Sequence, residues 1–271
     1  MPVIAMTMEV GTRGSEVAAG LAEVLKIASV GHEIVDQVAE KMQVKKSLLQ
    51  RLREGKASMI ERLSTSQTEI AVYTAEEVLA LAQGGDVLIR GWGSTLLLRP
   101  VPHIPCVRVC APLEARVRSL MQRLDTDDEA FIRDEIEKSD EAHAAAMQRR
   151  FHVKWGDPLL YDLTLNTERV AIASCVEQVV ALTRRPEFQE TPATRAILDN
   201  LALEARVRAA FMAHEETADV QVTVAADGPK VVLRGMVGTD AERKAAARVA
   251  KSVEGVGEVH SELRAFRRPR R

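Results

Sequence analysis

The chain has 271 residues, 28% of them charged and 46% hydrophobic, with a formal net charge of −2. This composition describes a folded globular protein, excludes a fibrous or generally disordered one, and leaves room for one large core or two domains. No run of eighteen apolar residues occurs, and the N-terminus lacks the basic segment and cleavage site of a secretory leader, so a cytoplasmic setting without a transmembrane segment is expected. Cys106, Cys110 and Cys175 form no C-x-x-C pair and are expected to be reduced thiols.

Residues 3–8, VIAMTM, read as a strand that breaks into glycines at Gly11 and Gly14 before a helical pattern from Glu16 to Leu25. Glycines let backbone amides approach an anion, and the following helix presents unpaired N–H groups and the positive end of its dipole. Gly11, Thr12, Arg13 and Gly14 suit a phosphate cradle. Set against the G-x-x-x-x-G-K-[ST] loop with Gly14 as the last glycine, Glu9 takes the first glycine's place, Ser15 the lysine's and Glu16 the hydroxyl residue's. Arg13 is the cation within the loop. His32, Glu33 and Asp36 follow the second expected strand, where they either shape an acceptor pocket, organise Mg²⁺ or cap a helix.

Further strands are expected at 86–90 and 105–110, with a helix from Ala75 to Gln83 between them. This alternation specifies an α/β fold, a doubly wound parallel sheet in three layers. Arg90, Gly91, Trp92, Gly93 and Ser94 fall at the carboxyl edge of the sheet, where ligands bind. Arg90 suits an acceptor phosphate there, and Trp92 either meets a base or is a structural tryptophan. Residues 127–152 form a long charged helix that brings Asp140, His143, Met147 and Arg150 to one face. WGDPLLYDLTLN, 155–166, holds a proline break and a last strand.

At 184–195 two prolines and polar residues interrupt the periodicity, so residues 1–183 are expected as one domain and 184–198 as a linker. Residues 199–266 then read as αββαβ, a small α+β unit. It has a helix at 199–213, a strand alternating at Val220, Val222 and Val224, a turn at Asp227 and Gly228, and a strand from Lys230 to Val237. A helix opening on Thr239 and Glu242 and a strand from Glu258 to Ala265 follow. The tail RRPRR, 267–271, is basic, and residues 200–271 hold thirteen Lys and Arg against ten Asp and Glu. No aromatic stacking platform accompanies that charge, so nucleic acid is not the expected partner.

In order, TMEVGTRGSEVAAGLAEVL, GHEIVDQVA, VLIRGWGSTLLLR, VRVCAPLEARVRSLMQRL and KSDEAHAAAMQRRFHVKWGDPLLYDLTLNT resemble the cytidylate kinase-like family, a branch of the P-loop nucleoside monophosphate kinases. The resemblance implies a transferase that binds ATP and Mg²⁺ and phosphorylates a nucleoside monophosphate, with CMP or dCMP favoured. Such chemistry rests on positioning and neutralising phosphates. It implies Gly11, Thr12, Arg13, Gly14 and Ser15 around the donor phosphates. It implies Arg13, Arg118, Arg123, Arg149 and Arg150 in catalysis, the last two carried by a mobile lid, with Arg116 on the same helix as Arg118 and Arg123. His32, Glu33, Asp36, Arg90, Trp92 and Asp140 would lie around the acceptor. Two positions depart from the family pattern: Ser15 replaces a basic residue after the last glycine, and His143 stands where the lid helix carries arginine. Losing one transition-state charge contact costs roughly 3 kcal/mol. An inactive nucleotide-binding pseudokinase, or an adaptor, is therefore the alternative.

VTVAADGPKVVLRGMV, TDAERKAAARVAKSV and EGVGEVHSELRAF resemble the BON domain. That resemblance implies a module that binds a protein or phospholipid partner and carries no chemistry.

Overall fold

The computed structural model describes residues 2–31, 33–53, 57–58, 60–61, 65–91 and 93–266. His32, Trp92 and the basic tail at 267–271 lie outside the described residues. The N-terminal unit contains strands β1 (Val3–Met8), β2 (Ala28–Val30), β3 (Val87–Arg90), β4 (Cys106–Cys110) and β5 (Leu163–Asn166). All pair in parallel, in the order β2-β3-β1-β4-β5. The doubly wound sheet expected from the sequence is present.

Successive side chains of a strand point to opposite faces, and β1 serves two cores in this way. Val3 and Ala5 pack with helices α2 (Glu33–Lys41) and α4 (Gln67–Gly84), while Ile4 and Met6 pack with α1 (Gly14–Leu25) and α8 (Ile172–Thr183). Helix α4 is longer than the expected 75–83 because Ser66 caps it, its Oγ accepting the Glu69 N–H at 3.2 Å. Helix α3 (Lys46–Arg53) precedes α4, and the short α5 (Ser94–Leu97) follows β3. Helices α6 (Leu113–Leu124) and α7 (Glu129–Phe151) pack through Val117, Leu120, Ile132 and Ile136.

The stretch 184–198 holds a 3-10 turn at Pro186–Phe188 and the first turns of α9 (Pro192–Ala213), which begins before the expected residue 199. Pro192 sits in the first turn, where no intrahelical N–H is needed, and the Thr191 and Thr194 side chains cap each other's backbone. Leu198, Ala202, Ala205 and Ala209 enter the core beneath α2 and α4, whereas Leu203, Val207 and Phe211 enter the C-terminal core. One helix thus closes both units.

The C-terminal sheet is β6 (Thr223–Asp227), β7 (Lys230–Val237) and β8 (Glu258–Ala265), with β6 antiparallel and β8 parallel to β7. Helix α10 (Asp240–Ser252) makes the crossover between β7 and β8, as the αββαβ order requires. Val220 and Val222 pack on this core but precede the ladder, so β6 begins at Thr223.

Candidate functional site

Two close approaches shape the loop after β1. Gly11 has φ 84°, and a Cβ there would lie 2.7 Å from the Arg116 carbonyl oxygen. A Cβ on Gly14 would lie 2.8 Å from Met8 Cβ. Arg13 is left-handed at φ 57° and starts α1 with no side-chain cap. Thr12 is buried; its hydroxyl donates to the Glu9 carbonyl at 2.7 Å, and its own carbonyl accepts from Thr167 Oγ1 at 2.6 Å. The turn is thereby fixed at the N-terminus of a twelve-residue helix, an arrangement that favours an anion.

The cation of this loop is already paired. Arg13 Nε donates to Glu16 Oε1 at 2.8 Å and Nη2 to Oε2 at 2.6 Å. That bond raises the Arg13 pKa against a small desolvation, and it holds the Glu16 carboxyl below the ordinary glutamate range, with Arg123 adding to the pull. Ser15, at the lysine's place, directs its hydroxyl to Met8 Sδ at 4.0 Å.

Behind the loop runs a buried ionic network that the sequence reading missed. Glu9 pairs with Arg108 of β4 and lies 3.6 Å from Arg116 Nη1. Arg116, 4% exposed, donates from Nε to the Val10 carbonyl at 2.8 Å and from Nη1 and Nη2 to Asp140 at 2.7 and 2.8 Å. Arg108 donates to the Trp155 carbonyl at 2.8 Å, and the Trp155 indole N–H donates to Thr7 Oγ1 at 3.2 Å. His143 stacks on Trp155 with ring centroids 5.1 Å apart. Asp140, expected at the acceptor, instead ties α7 to the loop through Arg116. A charged residue inside the apolar CVRVC strand was the available signal for Arg108, and Glu9 at a glycine position was the signal for its partner.

A cavity of about 1260 Å³ opens between the loop, α4 and α7. Gly11, Thr12, Arg13, Gly14 and Ser15 line one part of it, and Arg90, Arg123, Arg149 and Arg150 also reach it. Arg123 and Arg149 are exposed. The Nε of Arg90 is buried without a hydrogen-bond partner among the described residues. Arg150 donates from Nη2 to the Ala71 carbonyl at 2.6 Å and lies over Phe151, and burial alone pulls its pKa down to about 10. It still carries its charge at neutral pH.

Other expected site residues face elsewhere. Arg118 is 69% exposed, outside the cavity wall and 3.7 Å from Glu168, because it lies two residues along α6 from the inward-facing Arg116. Glu33 accepts the Gly31 N–H at 2.9 Å, and Asp36 pairs with Lys46. Both act at the start of α2 and neither lines the cavity. Two wall residues, Ala205 and Arg208, come from α9 and were not foreseen.

The loop fits a phosphate. Its carboxylates, Glu9 and Glu16, are both held by arginines, and no cluster of three His, Cys, Asp or Glu occurs among the described residues. Any Mg²⁺ would therefore depend chiefly on oxygens of the phosphates it accompanies. Among the described residues no helix is long and apolar enough to cross a membrane.

Residues 3–169 match the cytidylate kinase-like family and residues 199–265 match the BON domain. The osmotically-inducible protein Y of Escherichia coli (strain K12) is 36% identical over 66 residues, 24% of this chain and 33% of that protein. The chain thus spans about a third of that relative's length. An uncharacterized protein from Eubacterium ventriosum ATCC 27560 superposes with a TM-score of 0.54 at 19% identity, over 68% of this chain and 100% of that one. Shikimate kinase from Acinetobacter baumannii superposes with a TM-score of 0.38 at 14% identity, over 67% and 92% of the respective chains. By its sequence match over residues 3–169 and its five-stranded parallel sheet, the chain belongs to the cytidylate kinase-like family, with a P-loop kinase fold followed by a BON domain.

Proposed function

We propose that the protein transfers a phosphoryl group from ATP to a nucleoside monophosphate, with CMP or dCMP as the favoured acceptor. The observation that carries this reading is the pairing of a glycine phosphate loop with Arg90 and Arg150 on one cavity. Neither arginine has a carboxylate partner among the described residues; a half-buried cation so placed is costly in the free protein, and an acceptor phosphate relieves that cost. In this reading Gly11 to Ser15 cradle the donor phosphates, Arg90 and Arg150 grip the acceptor, and Arg123 and Arg149 approach the transferring group. The BON domain then binds a protein or phospholipid partner.

A second reading, a nucleotide-responsive pseudokinase, is favoured by one specific observation: the Arg13 charge is held by Glu16 while Ser15 replaces the expected base. The deciding experiment measures ADP release with ATP, Mg²⁺ and each ribo- and deoxyribonucleoside monophosphate, for the wild type and Arg150→Ala. Acceptor-dependent turnover lost in the variant supports the kinase. Monophosphate binding without turnover assigns the pseudokinase.

A further inference from the structure

We propose that Arg208, a residue of the C-terminal module, is a ligand-binding cation of the acceptor site, so that the BON domain completes that site. The inference rests on the acceptor reading above. It starts from the way α9 lies along α4. Gln83 Nε2 donates to Asp199 Oδ1 at 2.7 Å and Arg195 Nη2 donates to the Gln83 carbonyl at 3.0 Å, which fixes the C-terminal end of α4 against the start of α9. At about 1.5 Å per residue, nine further residues of α9 advance about 14 Å to Arg208. Ala205 and Arg208 line the cavity together with Gln67, Ile70 and Ala71, so α9 runs back along α4 and brings Arg208 toward the first turns of α4. Arg150 reaches that region from α7, through its bond to the Ala71 carbonyl. Arg208 and Arg150 therefore line one cavity from two different modules.

The bonding of Arg208 leaves it able to take a ligand. Its bonds to Glu204 Oε2, at 3.1 Å, and to the Val224 carbonyl, at 2.8 Å, both leave from Nη2. A guanidinium carries five N–H donors in a fixed fork, so Nη1 and Nε, which bond to nothing among the described residues, remain for an oxyanion. The side chain is 39% exposed and so within reach of solute. Glu204 also accepts the Ala226 N–H at 3.1 Å, and its negative charge is shared with the β6–β7 hairpin. The group recognised is the anionic phosphate of a nucleoside monophosphate.

The test is calorimetric titration of the full chain with CMP, for wild type, Arg208→Ala, Arg208→Lys and Glu204→Gln. Arg208→Ala is expected to weaken CMP about tenfold, with Arg208→Lys recovering part of the loss. Glu204→Gln, which keeps an acceptor for Ala226 and frees the guanidinium, is expected to bind CMP as well as or better than wild type. Where Arg208→Ala does not fold, Arg208→Gln, which still donates to the Val224 carbonyl, takes its place. CMP binding by wild type that is unchanged in the Arg208 variants overturns this assignment alone. Equal weakening by Glu204→Gln overturns it in favour of a structural ion pair. Absence of binding by wild type overturns the acceptor reading and this inference together.

Discussion

Arg116 and Asp140 meet in two parallel hydrogen bonds of 2.7 and 2.8 Å, while the third guanidinium nitrogen, Nε, holds the Val10 carbonyl. One buried side chain therefore links the loop after β1 to α7. Removing one partner of a fully buried pair costs about 3–5 kcal/mol. Asp140 is 34% exposed, so Asp140→Ala is expected to destabilise by about 2 kcal/mol, read as a lower urea midpoint with an unchanged slope. It is also expected to mobilise α7, seen as faster amide exchange between residues 138 and 151. Unchanged exchange would separate the pair from the mobility of α7.

The Arg13–Glu16 pair predicts a variant that gains affinity. Glu16→Gln releases the loop cation and is expected to tighten ATP about fivefold, the equivalent of about 1 kcal/mol for an exposed pair, by nucleotide titration. The pH dependence has a defined sign. The folded-state pKa of Glu16 is lowered chiefly by its bond to Arg13, so the pair is intact above the ordinary glutamate pKa and is lost as pH falls through the lowered one. Between pH 6 and 8 the pair is constant. A rise in ATP affinity with acidification across that range would point to a group other than Glu16.

Much of this site was legible and some of it was not, for definable reasons. Glycines at 11 and 14 between a strand and a helix are local signals, and the alternation of Val3 and Ala5 with Ile4 and Met6 records a sheet buried on both faces. The Arg13–Glu16 pair has a local i, i+3 spacing too, but the comparison with the loop pattern set Glu16 at the hydroxyl position and left the pair unread. Choosing Arg116 over Arg118 as the inward arginine needs the phase of α6, set by Val117 and Leu120 against α7. Arg116 and Asp140 are 24 residues apart and Glu9 and Arg108 are 99 apart, distances over which no local periodicity speaks. The double role of α9 was written as two stripes, 198-202-205-209 and 203-207-211. Dividing the chain by its prolines hid the first of them.

Arg150 predicts a trade between stability and binding. Its charge is disfavoured by burial, with its folded-state pKa near 10 and so below the ordinary arginine value; the penalty is constant below that pH and lifts only above it. Arg150→Met removes the penalty along with the bond to Ala71. The variant is expected to melt at or above the wild-type temperature without ligand and to lose the stabilisation that saturating CMP gives wild type. A large fall in the ligand-free melting temperature would make Arg150 a structural residue.

The shared helix predicts that damage in one unit is felt in the other. Phe211 is 3% exposed within the C-terminal core, and Phe211→Ala is expected to cost about 3–5 kcal/mol. Trp92 and Trp155 are the only tryptophans of the chain and both precede residue 184, so intrinsic fluorescence reports the N-terminal unit. Loosening α9 withdraws Ala202, Ala205 and Ala209 from the core that they share with α4. The fluorescence-detected urea midpoint is therefore expected to fall in Phe211→Ala together with the far-ultraviolet circular dichroism midpoint, as one transition. A fluorescence midpoint that stays at the wild-type value while the dichroism splits into two steps would show that the units unfold independently, and that α9 tethers them without coupling them.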